Sequence, residues 1–176
     1  MPSPTPVDLT AVIDRTRSLL MPTVVAGADA PGPQGVMLVQ AWPNGGAYVW
    51  ETSDQRQCSA TVSLTQVQTR GCAVHPLDPP VAPDAGLQSV DTFFTDGWVR
   101  LFGADHQTVS SATCGGAPLE VRRVGTVAGG ARTLYAVWFP DYTKGSIVLE
   151  LNHDGTTSEA TLDLGELGDR TCAPTP

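Results

Sequence analysis

The chain has 176 residues, of which 41% are apolar and 16% charged, and its formal net charge is −8. This length suits one domain or at most two small ones, and the apolar content predicts a folded core rather than a disordered tail. The acidic balance excludes sequence-independent nucleic acid binding and docking on an anionic membrane surface. No apolar run reaches the length of a membrane-spanning helix, so we expect no direct membrane insertion by this segment.

The first 20 residues predict a linker followed by a helix. Residues 1–6, which are rich in Pro, are typical of a linker after a signal or membrane anchor, so we expect the natural precursor to be longer. Residues 7–20 have a helical hydrophobic period, with Asp8 as the N-cap and Met21-Pro22 as the end. The apolar face of this amphipathic helix holds Leu9, Val12, Ile13, Thr16, Leu19 and Leu20.

From residue 35 onward the hydrophobic pattern changes to the two-residue period of β-strands. Residues 35–75 predict hairpin-connected strands, residues 76–90 a Pro-rich loop, and residues 91–172 a second β part. Short strands separated by Gly and Pro turns are typical of an antiparallel sandwich or barrel. We therefore expect a mainly β protein, an antiparallel β-sandwich with one N-terminal helix. The expected strands are 36–42, 47–52, 57–63, 71–74, 98–102, 108–114, 119–124, 132–139, 147–151 and 156–164.

The four cysteines are Cys58, Cys72, Cys114 and Cys172, and they form no C-x-x-C pair. No His stands at zinc-finger spacing, so a structural zinc site is not expected. Cys58 and Cys72 flank a predicted hairpin, which would place them opposite each other and leave Cys114 to pair with Cys172. Two disulfides indicate an oxidising, extracytoplasmic compartment. The alternative is four buried reduced thiols in a cytosolic protein.

The segment from Trp98 to Gly165 contains the predicted strand at residues 132–139 and a closing hairpin at residues 147–155. In these features it resembles the immunoglobulin-like ectodomains of uncharacterised membrane-anchored or secreted actinobacterial proteins. The resemblance covers about two-fifths of the chain and implies an immunoglobulin-like fold and an extracytoplasmic setting. It implies no catalytic residues.

The sequence offers few groups for catalysis or metal binding. His75, His106 and His153 each have an Asp within three positions. Two such turns could form half of a metal or acid–base site if they converged, although turn chemistry alone explains these residues. The sequence contains no G-x-S-x-G elbow, phosphate loop or D-x-D-x-D-G calcium loop. We therefore expect no catalytic residue, metal, cofactor or enzyme activity.

Aromatic residues form the clearest candidate binding site. Trp42, Tyr48 and Trp50 surround the first hairpin turn, where an exposed stripe could stack on sugars or anchor a protein partner. The alternative places these three rings in the core of the N-terminal sheet. Trp98 and Trp138 are expected in the core of the C-terminal part.

These features predict a noncatalytic extracytoplasmic β-domain of an envelope-anchored or secreted bacterial protein that binds a protein or cell-wall partner. Two other functions stay open. Residues 75–90 could be the protruding loop of a secreted protease inhibitor, whereas His106 or His153 in a concave pocket would indicate a small secreted enzyme. The N-terminal helix could instead be the stalk of a sensor domain in a membrane-bound regulator.

Overall fold

The computed structural model describes residues 8–82 and 87–172. The chain divides into two compact units between Leu77 and Asp78, inside the Pro-rich segment. We call residues 1–77 the N-terminal unit and residues 78–176 the C-terminal unit. Within the described ranges, no helix is long and apolar enough to cross a membrane.

The N-terminal unit is a helix packed on a four-stranded antiparallel sheet of strand order β1-β2-β3-β4. Its core lies between the helix and one face of the sheet and includes Leu20, Val24, Tyr48, Trp50 and Val62. Each strand turns back on the one before it, so the sheet is a simple meander. The elements are α1 (Leu9–Val24), β1 (Met37–Trp42), β2 (Gly45–Glu51), β3 (Gln57–Ser63) and β4 (Val67–Cys72).

Helix α1 begins as the sequence predicts but ends later. The Asp8 carboxylate accepts a hydrogen bond from the Thr10 N–H, which caps the first turn. The predicted end at Met21-Pro22 was wrong, because Pro22 lies inside the helix. Val24, two residues later, is buried in the core, and this burial offsets the hydrogen bond that Pro22 cannot donate. Leu9, expected on the apolar face, is exposed.

The C-terminal unit is an antiparallel β-sandwich, as predicted. One sheet has the order β5-β6-β10-β9 and the other the order β12-β11-β7-β8, with β13 added in parallel to β11. The elements are β5 (Leu87–Phe94), β6 (Trp98–Asp105), β7 (Thr108–Cys114), β8 (Ala117–Leu119), β9 (Val121–Val127), β10 (Arg132–Phe139), β11 (Thr143–His153), β12 (Thr156–Gly165) and β13 (Arg170–Cys172). Buried residues of both sheets, among them Phe102, Tyr135, Ile147 and Leu149, form one core cluster.

Several strand boundaries differ from the prediction. Strand β5 begins inside the segment predicted as a Pro-rich loop, and its polar residues Gln88, Ser89 and Asp91 hide it from a hydrophobic pattern. Strand β8 was missed, and β11 begins at Thr143, before the predicted start at residue 147. The predicted linker at residues 1–6 and the loop residues 83–86 lie outside the described residues.

Both predicted disulfides are present, one in each unit. Cys58 and Cys72 are directly paired across β3 and β4, with a Cα–Cα distance of 3.9 Å. Cys114 at the end of β7 bonds to Cys172 in β13, with a Cα–Cα distance of 4.7 Å. The first bridge closes a hairpin, and the second holds the last described strand to the sandwich. The described residues include all four cysteines, and none of them is free.

Candidate functional site

The first-hairpin aromatics do not form an exposed stripe. Tyr48 and Trp50 are fully buried beneath α1, so the prediction that they are exposed binding residues was wrong and their alternative placement in the core is correct. The Tyr48 hydroxyl lies 2.7 Å from the Thr16 hydroxyl. The Trp50 Nε1–H donates to the Asp29 carbonyl oxygen at 2.7 Å. Both polar ring atoms therefore have partners inside the N-terminal unit.

Trp42 is separated from the other two rings by the strand register. It pairs with Gly45 and therefore shares a sheet face with Ala47, whereas Tyr48 and Trp50 lie on the opposite face of the same strand. The Trp42 ring lies so close to Gly45 that a Cβ atom there would come within 2.7 Å of it. The three rings thus form no common surface, and the predicted site at Trp42, Tyr48 and Trp50 is not assembled.

Two of the three histidine-bearing turns do converge. The His153 Nδ1 atom lies 2.6 Å from the His106 carbonyl oxygen, and its Nε2 atom lies 3.3 Å from Asp154. Groups of three or more His, Cys, Asp or Glu able to hold a metal ion do not occur among the described residues. His153 therefore joins the two turns through a backbone contact.

A small open cavity lies at one end of the C-terminal sandwich, and we call it the aromatic cavity. Strands β5 and β6 of one sheet supply one side of it, and the end of β12 in the other sheet supplies the opposite side. Its volume is about 260 Å³. The hairpin register places Phe94 opposite Trp98 and Thr92 opposite Arg100, so all four share one sheet face. The lining residues are Thr92, Phe94, Trp98, Arg100, Tyr142, Leu164, Gly165, Glu166 and Leu167.

The rings of the aromatic cavity run from the core to the surface. Phe139 and Trp98 are buried, with their ring centroids 5.3 Å apart. Tyr142 stacks on Trp98 at 5.0 Å and contacts Phe94 at 5.2 Å. Tyr142 is 43% exposed and Phe94 60% exposed, and Leu167 beside them is also exposed. A buried aromatic base therefore carries two rings that face solvent.

Arg100 gives the aromatic cavity a positive charge. Its guanidinium carbon lies 5.7 Å from the centroid of the Trp98 ring, which is a cation–π contact. Its Nη2 donates to the Ser89 hydroxyl at 2.5 Å and to the Asp163 carbonyl oxygen at 3.4 Å. Burial lowers the pKa of the Arg100 guanidinium, while the Asp163 and Tyr142 side chains oppose this shift. Arg100 carries its charge at neutral pH even so.

Two N–H donors of the aromatic cavity lack acceptors. Within the described part of the chain, Trp98 Nε1 and Arg100 Nε are buried and make no hydrogen bond. A buried donor without an acceptor is costly, and such groups are rare in native proteins. Both atoms have almost no accessible surface, so the groups that a ligand can reach are the exposed rings of Phe94 and Tyr142 and the side chains of Arg100 and Glu166.

Sequence reasoning missed most of this cavity. Trp98 was expected in the core and is buried, but Phe94, Arg100 and Tyr142 were not identified as site residues. The Phe93-Phe94 pair could have indicated an exposed ring. Adjacent strand residues point to opposite faces of a sheet, so the two rings cannot lie on the same face. The expectation that Trp138 is a core residue was wrong, because this ring is 39% exposed and covers Gly97.

The outer face of the second sheet carries a larger groove of about 820 Å³. Its described lining consists mainly of small residues, including Thr113, Ser146, Thr161 and Gly145, with the carboxylate of Glu159. These side chains lie on an open sheet surface. The aromatic cavity is the stronger candidate site because two exposed aromatic rings line it.

A buried ion pair fixes the chain beside the Pro-rich segment. The Arg132 Nε and Nη2 atoms donate to the two Asp105 carboxylate oxygens at 2.6 and 3.0 Å. Arg132 also donates to the Asp78 carbonyl oxygen, and Asp105 accepts from the Val81 N–H. Both charged groups are satisfied by these contacts, so we assign this pair a structural role.

Comparison with protein families, curated proteins and solved structures finds no match to this chain. The chain is therefore described by its own fold and by the cavity in its C-terminal unit. The chain combines a helix-covered β-meander with a β-sandwich, each unit has one disulfide, and the sandwich carries an open aromatic cavity.

Proposed function

We propose that this protein is a noncatalytic extracytoplasmic domain of an envelope-anchored or secreted bacterial protein, and that it binds a cell-envelope component through the aromatic cavity. The observation that carries this proposal is the pair of exposed rings, Phe94 and Tyr142, in a cavity that Arg100 and Glu166 also line. Exposed aromatic anchors and arginines are enriched at binding surfaces.

The two disulfides support the extracytoplasmic part of the proposal. Disulfides persist in oxidising compartments and are rare where thiols are kept reduced. The first bridge joins the paired strands β3 and β4, and the second joins β7 and β13, which both pair with β11.

Mass spectrometry tests the compartment. The intact, unreduced protein from its native source is expected to have a mass about 4 Da below that of the reduced chain and to resist alkylation by a thiol reagent. Four alkylated thiols would contradict the extracytoplasmic proposal.

Cosedimentation tests the binding surface. The purified protein is expected to cosediment with the insoluble cell-envelope fraction of its source. The double variant Phe94→Ala/Tyr142→Ala should bind about tenfold or more weakly, because it removes both exposed rings. Trp138→Ala is the matched control, since it removes an exposed ring of the same unit outside the cavity. Equal binding by the double variant and the wild type would overturn the aromatic cavity as the binding site.

A further inference from the structure

We infer that the partner bound by the aromatic cavity is a basic protein. It places one apolar side chain against Phe94, Tyr142 and Leu167, and lysine or arginine residues beside that side chain pair with the carboxylates around the cavity. This inference rests on the proposed function, since it names the kind of envelope component that binds the same cavity. Two properties of the cavity support it, namely the surface that a ligand can reach and the charge around that surface.

Three of the side chains that a ligand can reach in the cavity are large and mostly apolar. Phe94 is 60% exposed, Tyr142 43% and Leu167 76%, and all three line the cavity. The Phe94 and Tyr142 rings are 5.2 Å apart and inclined by 37°, so together they form a shallow angled platform. An apolar side chain that packs on this platform removes apolar surface of both partners from water, which is the main favourable contribution to protein association.

The two unpaired donors also favour an apolar group over a polar one. Trp98 Nε1 and Arg100 Nε have almost no accessible surface in the free protein. An apolar side chain that covers the cavity therefore takes no water away from these donors and adds no further cost there. Polar groups of a ligand would lose their own water in the cavity and could not reach either donor in exchange, which is unfavourable.

Carboxylates surround this apolar surface. Glu166 lines the cavity, and Asp141 directly precedes one of the two exposed rings in the chain. Asp96 lies in the turn that joins β5 to β6, and all three acidic residues are exposed. Arg100 is the cation of the described lining, and its guanidinium already makes a cation–π contact with Trp98. Charge complementarity therefore favours a basic partner, and the net charge of −8 acts in the same direction.

A protein supplies an apolar anchor and positive charge together. The cavity volume of about 260 Å³ is below the roughly 300 Å³ at which pockets for drug-sized ligands begin, so the cavity suits one side chain of a larger partner. Lysine and arginine residues beside that side chain pair with the surrounding carboxylates. The same carboxylates repel anionic wall polymers and anionic lipid surfaces, and neutral glycans gain no charge attraction from them.

Two chemically treated portions of the envelope fraction test the class of the partner. One portion is digested exhaustively with protease, which removes proteins and keeps glycans and lipids. The other is acetylated at its lysines, treated with phenylglyoxal at its arginines and washed, which removes positive charge and keeps the polypeptides. We expect the full chain to bind each portion at least about tenfold more weakly than untreated envelope. Affinity for untreated envelope should also fall about tenfold between about 0.05 M and 0.5 M salt, because salt screens opposite charges.

Ring variants test the apolar contact. Phe94→Ala should weaken binding to untreated envelope about tenfold, and its side chain is mostly exposed, so its fold should be unaffected. Tyr142→Phe is the matched control, because it keeps the ring and removes the hydroxyl, and it should bind as the wild type does. A loss in Tyr142→Phe as large as that in Phe94→Ala would overturn the apolar contact. Circular dichroism confirms that each variant is folded before its binding is compared.

Carboxylate variants test the charge. Asp141→Asn/Glu166→Gln should weaken binding about fivefold at low salt, and the loss should disappear at high salt. The matched control, Asp14→Asn/Asp154→Asn, removes two exposed carboxylates that do not line the cavity and should bind as the wild type does. Equal binding by the two double variants would overturn the basic character of the partner.

Three outcomes are distinguishable. Binding that disappears with protease, weakens when lysines and arginines are blocked and weakens in Phe94→Ala supports the inference. Binding that weakens in Phe94→Ala but survives protease, or survives the blocking of lysines and arginines, overturns the inference and leaves the proposed binding function standing. Absence of binding to untreated envelope overturns both.

Discussion

The two units of this protein bury a tryptophan to nearly the same degree with different consequences. In the N-terminal unit Trp50 is fully buried, and its N–H donates to the Asp29 carbonyl. In the C-terminal unit Trp98 is 2% exposed, yet its N–H has no acceptor among the described residues. Burial alone therefore does not show whether the polar atom of a ring has a partner. The difference is whether the fold itself satisfies the polar atom.

The largest expected difference in stability is between variants of two rings, one in each unit. Trp50→Ala should lower the free energy of unfolding by about 3–5 kcal/mol, because it leaves a cavity under α1. Phe94→Ala should change it by no more than about 0.5 kcal/mol, because most of that ring is exposed. Urea denaturation followed by circular dichroism measures both values. A loss of several kcal/mol in Phe94→Ala would show that the ring is structural.

Two arginines of the C-terminal unit provide the next contrast. Arg132→Met should destabilise the protein by about 3–5 kcal/mol, because it leaves the buried Asp105 carboxylate unpaired. Arg100→Met removes a half-buried cation that makes no ion pair in the described residues, so its effect on stability should be much smaller.

Urea denaturation again measures both arginine variants. The double variant Asp105→Leu/Arg132→Met controls for the unpaired charge and should recover part of the stability lost in Arg132→Met. Equal destabilisation by Arg100→Met and Arg132→Met would contradict the distinction between a binding arginine and a structural one.

The two disulfides, one in each unit, close loops of different length and should therefore stabilise the protein to different extents. Replacing Cys114 and Cys172 by Ala opens a bridge that spans 58 residues and should cost about 4 kcal/mol in the chain-entropy model. Replacing Cys58 and Cys72, 14 residues apart, should cost about 3 kcal/mol. Hydrogen–deuterium exchange read separately in each unit measures both effects. The reverse order would show that native-state contacts, rather than loop closure, set these contributions.

The smallest effect is a pH dependence in the N-terminal unit. Hydrogen bonds from Thr52, and then from Arg56, lower the pKa of the Asp54 carboxyl below its ordinary value of 3.8. A carboxyl with a lowered pKa in the folded state stabilises the protein above 3.8, and this contribution disappears as the pH falls through the folded pKa. Asp54 is exposed, so solvent screening keeps the contribution small.

Thermal melts at stepped acidic pH measure this dependence. Asp54→Asn should reduce stability slightly near neutral pH and flatten the decline in acid, and Thr52→Val should do the same in part because it removes one donor. A decline in acid that is as steep in Asp54→Asn as in the wild type would show that other carboxyls are responsible.

The sequence predicts the fold better than the site. Alternating patterns identify the sandwich and both disulfide pairs, because these depend on local period and strand pairing. The first-hairpin site fails because the hydrophobic pattern shows neither the turn register that pairs Trp42 with Gly45 nor the cover that α1 provides. The aromatic cavity is equally hidden. Phe94, Tyr142 and Leu167 are far apart in the chain and meet only when the two sheets form.

The most direct test of the account is the indole N–H region of a ¹H–¹⁵N spectrum during titration with a solubilised cell-envelope fraction. The Trp98 indole signal should shift and saturate, because a ligand on the exposed Tyr142 ring changes the environment of the Trp98 ring stacked beneath it. The Trp50 signal, whose N–H donates to the Asp29 carbonyl in the other unit, should not move. Saturating binding with an unmoved Trp98 signal, or a titration that moves no indole signal, would contradict the aromatic cavity as the binding site.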